Sequence, residues 1–558
     1  MRLLSILAML VVTGVLYLMV VQAGHITPAA QAPAQLAEAD RIDHSVARIN
    51  AWFRRHWADE GLQPAELADD LTVFRRLSLA LHGTVPSLEE IRTFSADSSK
   101  DRVERWLTKM LEDSRFGDYF AERLARTIVG TQGGAFVVYR RDRLTDWLGE
   151  QLLADRPWPE ITRELITAEG LWTDHPASNF ITSALVDGEG IDENKLAGKT
   201  VRAFLGQRID CAQCHNHPFD TWQQQDFEGL AAFFGQARVT PGGAVDRTRE
   251  DEQPVEYEVI DPGSEVGRLV KPRVPFHDDW LPTTGTRREQ LAGWVVHPEN
   301  RRFERAIANR IWGLMFGRPY HDPVDDLPHP KDGEADPDLL DILGAEYRAN
   351  GESLRFLVRM IGESDAFRLR SDAENVEQET YDAMSDHWAV FPVVRLRPEQ
   401  VIGSMFQAAH VRTIDQNSNL FVRFRRLLNE NDFLKEYGDL GEDELLQQTG
   451  TIPQALLRMN GKFTRELTQA EAFSAAGQIA QFSPDDESLV TNCFLTCLTR
   501  LPAADELRYF AGQLAEAANP DGENSADHAD DQAAASREET IRDLYWVLFN
   551  SPEFSWNH

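Results

Sequence analysis

The stretch LADDLTVFRRLSLALHGTVPSLEEIRTF, Leu67 to Phe94, decides the fold class. Its apolar residues Leu67, Leu71, Phe74, Leu77 and Leu81 follow one another by four, three, three and four positions, the repeat of one helix face. Gly83 can end that helix, and Pro86, which could not continue it, stands just beyond. Ser87-Leu88-Glu89-Glu90 then places a hydroxyl and a carboxylate at capping-box spacing, so a second helix opens there. Trp106, Met110 and Leu111 carry the helical pattern on to Phe116. The unit reads as a helical hairpin.

The far end of the chain repeats it. Val85 to Phe94 aligns without gaps on Leu501-Pro502-Ala503-Ala504-Asp505-Glu506-Leu507-Arg508-Tyr509-Phe510. The first unit closes on Leu111-Glu112-Asp113-Ser114-Arg115-Phe116, the last on Phe549-Asn550-Ser551-Pro552-Glu553-Phe554, and Ile361 to Phe367 is a third echo. When Pro86 is matched to Pro502, Cys493 and Cys497 fall on Leu77 and Leu81. Those two thiols are therefore expected in the core, as small hydrophobes on a helix, unbonded to each other.

The rest of the 558 residues fits a mainly α, multi-helical protein with terminal helical hairpins. Hydrophobic residues make up 42% and charged residues 26%, which excludes wholesale disorder. The formal charge of −33 argues against a nucleic-acid partner, because phosphate contacts need a surplus of Lys and Arg. One region departs from helix. Residues 236–285 are rich in Gly, Pro and Val, and Val255 to Val259 alternates apolar with polar, so a small β insert is expected, with Arg268 to Lys271 as the pairing strand. Asn519 to Thr540, poor in apolar residues, reads as a solvated loop interrupting the last hairpin.

Nineteen residues from Leu3 to Val21 carry no charge, and Arg2 precedes them. Such a run at an N-terminus reads as a signal anchor or a cleaved signal peptide, with residues 1–23 in or through the membrane. Arg2 should stay inside, which puts the rest outside the cytoplasmic membrane, on the periplasmic side. Gly24 to Asp40 reads as a tether, and 24–64 as tether and lead-in.

Chemistry is concentrated at Cys211-Ala212-Gln213-Cys214-His215, followed by Asn216-His217-Pro218-Phe219-Asp220. Cys-x-x-Cys-His is the spacing that attaches c-type haem. Cys211 and Cys214 would form the two thioethers, and His215 would be the axial ligand. Leu196, Val201, Phe204 and Leu205 suggest a helix before the motif. Phe227, Leu230, Phe233 and Phe234 suggest one after it, capped by Asp220 or Thr221. Phe219, Trp222 and Phe227 would then line a haem cavity, or simply fill the core. Met315 and His297 are candidates for the sixth iron position. Two other chemistries fit the motif. Cys211 and Cys214 with His215, or with His217 as the alternative ligand, suit a zinc or iron ion. The two thiols alone could close a disulfide.

Asp322, Asp325 and Asp326, near His321 and His329, form an acidic group that would suit a hard cation or acid–base chemistry, as in a hydrolase of external polymers. The sequence holds no Ser-centred nucleophile elbow, no phosphate loop and no His-Glu-x-x-His motif, so no catalytic residue is assigned.

The residues from Cys211 to Asp220, with Trp222, Asp226, Phe227 and Ala231 to Phe234, resemble the signature of an exported planctomycete cytochrome-c-like family, domain of unknown function fifteen-forty-nine. Phe74 to Pro86 resembles its N-terminal end. Arg287 to Ala292, Asn309 to Trp312, Phe316 to Arg318, Asp325-Asp326, Ile452 to Leu456 and Asn550 to Phe554 resemble motifs of its usual partner, domain of unknown function fifteen-fifty-three. The resemblance implies a cytochrome-c-like domain over 65–235 and a partner helical domain over 286–558, on either side of the β insert read at 236–285. In one place the chain departs from the partner's pattern: Ala335-Asp336-Pro337-Asp338 carries Asp336 where the family pattern has His. The expected function is a membrane-tethered c-type haem protein serving electron transfer or redox chemistry with an unidentified redox partner. A metal-stabilised structural or substrate-binding module is the alternative.

Overall fold

The computed structural model describes residues 32–131, 138–186, 188–216, 221–250, 253–261, 263–330, 337–373, 376–415, 418, 441, 445, 451–471, 474–518 and 529–558. The chain divides into two compact units, Met1–His44 and Ser45–His558. The fold is mainly α, with five two-stranded antiparallel sheets as its β content among the described residues. The uncharged run of residues 3–21 lies outside the described residues, and no described helix is long and apolar enough to cross a membrane. Part of the tether reading is corrected. From Ala32 the chain is already helical, through Asp59, as the good helix formers Ala, Gln, Leu and Glu in that stretch allow.

The first hairpin forms as its sequence dictates, with one shift. Leu67 is exposed and precedes the helix, whose N-cap is Asp69. Asp69 accepts from the backbone N–H groups of Leu71 and Thr72, and the helix runs Asp70–His82. It ends on Gly83 at φ 68°, where a Cβ would come within 2.4 Å of the Tyr119 ring. Ser87 and Glu90 complete the capping box of the Leu88–Ala96 helix. Phe74 stacks on Phe94 at 4.4 Å, with Trp106 edge-on at 5.2 Å, so the two helices and the Arg102–Glu112 helix close on one aromatic cluster.

The C-terminal hairpin repeats this geometry 416 positions later. Asp486–Leu498 has the same length as Asp70–His82, 13 residues, and its N-cap Asp485 corresponds to Asp69. Thr499, in the place of Gly83, also adopts the left-handed conformation, at φ 58°. Pro502 stands ahead of the Ala504–Ala518 helix as Pro86 stands ahead of its own. Leu77, Leu81, Cys493 and Cys497 are all fully buried. The hairpins also meet: Leu79, Val85 and Leu88 share a core with Leu489, Val490, Cys493 and Cys497. Their exits match as well. Asp113, Ser364 and Ser551 are N-caps, each three residues before a fully buried phenylalanine, Phe116, Phe367 and Phe554. The loop expected over 519–540 is corrected in its second half. Residues 519–528 lie outside the described residues, but a helix runs from Ala529 to Asn550. Its Ala-rich start has helix propensity without an apolar face, a combination that a hydrophobicity reading takes for loop.

Two buried arginines tie the matched hairpins and their exits together. Arg75 donates to the carbonyls of Cys497 and Glu553 at 3.3 and 3.1 Å. Arg76 donates to the carbonyls of Phe367, Leu369 and His558 and lies 3.7 Å over the Phe391 ring. Burial pulls the two guanidiniums down to about 10 and about 9, so both stay charged at neutral pH.

The β insert takes the expected form. Tyr257–Val259 pairs antiparallel with Arg268–Val270, with Tyr257 opposite Val270, and a second hairpin joins Ala237–Thr240 to Gly243–Asp246. Fully buried Arg288 docks the insert by bonding Asp246 at 2.7 Å and the carbonyls of Ile166 and Ala168.

Candidate functional site

The motif sits on a turn between the Glu193–Leu205 and Gln224–Ala231 helices. Leu196, Val201, Phe204 and Leu205 bury one face of the first, and Phe227, Leu230, Phe233 and Phe234 fill the core beside the second. The first helix stops at Gly206, in the left-handed conformation at φ 65°. The second is capped not by Asp220 or Thr221 but by a Gln223–Asp226 box. Asp220 lies outside the described residues, with His217, Pro218 and Phe219.

The five residues between Leu205 and the motif are fixed by a web that reaches the acidic group. Leu327 donates its N–H to the Gly206 carbonyl at 2.9 Å, and Gln207 bonds back to the Leu327 carbonyl. The Gln207 side-chain oxygen accepts from the Trp222 indole at 2.7 Å. Arg208 bonds one oxygen of Asp325 at 2.6 Å, and Arg202 bonds the other. Burial alone would raise the Asp325 carboxyl; the two guanidiniums outweigh it and hold the group below the usual carboxylate range. Ile209 and Ala212 then point inward, both fully buried.

This registration turns the reactive residues outward. Cys211 and Cys214 are exposed and unbonded, on a 3₁₀ turn over Asp210–Gln213. His215 is exposed, and its Nδ1 lies 2.8 Å from the Asn216 carbonyl oxygen. A carbonyl only accepts, so Nδ1 carries the proton and Nε2 presents its lone pair. Asn216 is itself held, accepting from the N–H of Gln224 at 3.0 Å.

Of the aromatics expected around His215, Phe219 lies outside the described residues. Trp222 and Phe227 are core residues, 4% and 2% exposed. The cavity beside Trp222 has a volume of about 290 Å³, is bordered by Asp226, Arg273, Phe276, Arg302 and His329, and does not reach His215. Of the two candidates for a sixth ligand, Met315 is fully buried in the Arg301–Phe316 helix, and His297 stacks on Trp280 at 4.7 Å.

The acidic group does not assemble either. Asp322 and Asp326 are exposed, while Asp325 is buried with both oxygens bonded to arginine. His321 is tied through its backbone to Asn309, and His329 bonds Thr221 and Arg302 through its two ring nitrogens. Residues 331–336, including Asp336, lie outside the described residues. Gln207 and Arg208, which orient the turn, carry no motif signal in sequence; an Arg three residues before the first Cys is the only mark there.

Fold and motif together define a class: a mainly helical protein presenting a Cys-x-x-Cys-His turn at its surface, braced from a second helical region. Comparison with protein families names both halves. Residues 48–239 match the family PSCyt2, protein of unknown function (DUF1549), and residues 287–514 match PSD1, protein of unknown function (DUF1553). The chain carries these two domains in tandem. No curated protein and no solved structure matches it.

Proposed function

We propose that this is an extracytoplasmic, membrane-tethered c-type haem protein working in electron transfer or redox chemistry. The observation that carries the reading is the outward-facing turn: two accessible thiols, and a His215 whose Nδ1–H is bonded to a carbonyl. A ligating histidine is ordinarily held this way, with one nitrogen donating to a fixed acceptor and the other facing the metal. Cys211 and Cys214 would hold the macrocycle and His215 Nε2 its iron, which supplies one-electron chemistry.

With His217 outside the described residues, the thiols and His215 suit a haem better than a bare ion. Among the described residues, the two thiols and a His215 nitrogen do not lie together within 4.8 Å. A single ion needs that convergence; a macrocycle, gripped at its edge and at its centre, does not. Exposed thiols also keep the group at the surface, within reach of a protein redox partner. The uncharged N-terminal run supports export to the compartment where attachment occurs.

The test is a reduced-minus-oxidised spectrum of the full chain expressed with haem-attachment machinery. Covalent haem bands should appear in the wild type and vanish in Cys211→Ala. A colourless protein carrying one zinc at the motif, or one whose two thiols are joined, would replace this reading with a structural one.

A further inference from the structure

We propose that His56, Glu60 and His387 form a site for a zinc-class divalent metal that clamps the lead-in helix of the first domain to the second domain.

Nothing in the sequence brings these residues together. His56 stands in the last turn of the Ala32–Asp59 helix, with Glu60 just beyond its end. His387 caps the Gln378–Asp386 helix, 331 positions from His56. Yet His56 Nε2 and His387 Nδ1 face each other at 3.1 Å, and Glu60 Oε2 lies 3.9 Å from the other nitrogen of His387. One ligand atom from each of the three falls within 4.8 Å of the other two.

The spacing is what a metal requires. With zinc–nitrogen bonds of about 2.0–2.1 Å, two ligands on a tetrahedron sit about 3.3 Å apart. The imidazoles are therefore already near their bound positions. They are also held there. The Trp52 ring stacks on His56 at 4.8 Å and 14°. The Trp57 indole donates to the His387 carbonyl at 3.0 Å, and the His387 N–H bonds Ala383. Two imidazoles and a carboxylate suit zinc and its neighbours rather than calcium, which favours all-oxygen sites. Three protein ligands leave a fourth position for water, and exposed Glu60 leaves the site open to solution. Without metal, the same pair of rings shares one proton as a hydrogen bond; metal binding leaves both rings neutral, with the donor ring's proton carried on its other nitrogen, so that both facing nitrogens can ligate.

The Cys-x-x-Cys-His turn also offers soft ligands, so the experiment removes it. The full-length Cys211→Ser/Cys214→Ser protein is stripped with a chelator and titrated with Zn²⁺ by calorimetry and with Co²⁺ by absorption. One equivalent of zinc should bind and raise the melting temperature, and cobalt should give tetrahedral d–d bands without a thiolate charge-transfer band. His56→Ala and His387→Ala should each weaken binding at least tenfold and abolish the thermal shift. Glu60→Gln, an exposed change that leaves the fold intact, should weaken it less. No uptake by the parent, or equal uptake with both histidines replaced, would overturn the proposal. Because the motif cysteines are absent throughout, neither result bears on the haem reading.

Discussion

Arg75 donates from Nη1 to the carbonyl oxygen of Cys497, 3.3 Å away and 422 positions along the chain. The bond crosses between the two matched hairpins, at the final turn of the Asp486–Leu498 helix. A carbonyl there lacks its full set of intrahelical partners, and Arg75 supplies a charged donor from within the core. Removing it leaves the Cys497 and Glu553 carbonyls short of a partner and opens a cavity. Arg75→Ala should therefore lower the free energy of unfolding by about 3 kcal/mol or more, read by chemical denaturation. A loss under about 1 kcal/mol would mean that the two hairpins are held by apolar packing alone.

The left-handed residues at the hairpin bends make a paired prediction. At Gly83 a Cβ would meet the Tyr119 ring, and the backbone at φ 68° strains any other residue. Gly83→Ala should cost about 2–3 kcal/mol. Thr499 holds the same conformation with a β-branched side chain, and its buried hydroxyl lacks a hydrogen-bond partner in the structure. Thr499→Gly should be neutral or stabilising by up to about 1 kcal/mol. Thermal unfolding of the two variants checks both signs, and equal losses at the two sites would refute the equivalence of the bends.

That equivalence was legible because local chemistry wrote it twice. Pro86 and Pro502, and Ser87 with Glu90, are short-range signals, and each is where its motif predicts; the N-caps Asp69 and Asp485 escape the reading, because the apolar spacing places the first helix start at Leu67. The burial of Cys493 and Cys497 followed from the same register. What the sequence hid was long-range. Asp325 reads in sequence as one member of an acidic group suited to a cation or acid–base chemistry, and its use as a brace emerges only once Arg202 and Arg208 fold against it. Trp222 and Phe227 had the spacing of either a pocket or a core, and periodicity alone does not separate the two. His56 and His387 are brought together by tertiary packing, which leaves no spacing to read.

Asp325 should behave as the brace of the motif turn. Asp325→Asn keeps the shape but removes the charge facing two guanidiniums. The expected loss is about 3 kcal/mol at neutral pH, with faster amide exchange over 206–216 as its local sign. The carboxyl is held below its ordinary range, so the stabilisation is present above the unfolded value near 3.8 and disappears as pH falls through the lower folded value. Wild-type exchange rates in the variant at neutral pH would show that the turn is set by Gly206 and Gln207 alone.

His82 predicts acid sensitivity. It is buried, with Nε2 3.2 Å from the Met110 carbonyl; burial first, and then the Arg115 charge, hold it down to about 4, against the pull of Asp113 and Glu90. Between about 4 and its ordinary 6.5 the unfolded chain binds the proton and the folded one does not. Stability should thus fall as pH drops through that window, by at most about 1.4 kcal/mol per unit from this group. Glu304, raised by burial to about 7, acts oppositely over the upper part of the window, so the comparison must be internal. His82→Gln should flatten the profile relative to wild type. Parallel profiles would put the sensitivity elsewhere.

The four cysteines should separate cleanly under a thiol reagent. Cys211 and Cys214 are exposed, whereas Cys493 and Cys497 are fully buried. Burial also pushes both buried thiols well above their ordinary range, which starves them of the reactive thiolate. Native protein without haem should therefore label at two sites and denatured protein at four. In chains carrying covalent haem the native count should fall to zero, because both motif sulfurs are then thioethers, and denaturation should release only two. A native count above two would mean that the Asp486–Leu498 helix opens to solvent. A count of two that persists in coloured protein would rule out thioether attachment at Cys211 and Cys214.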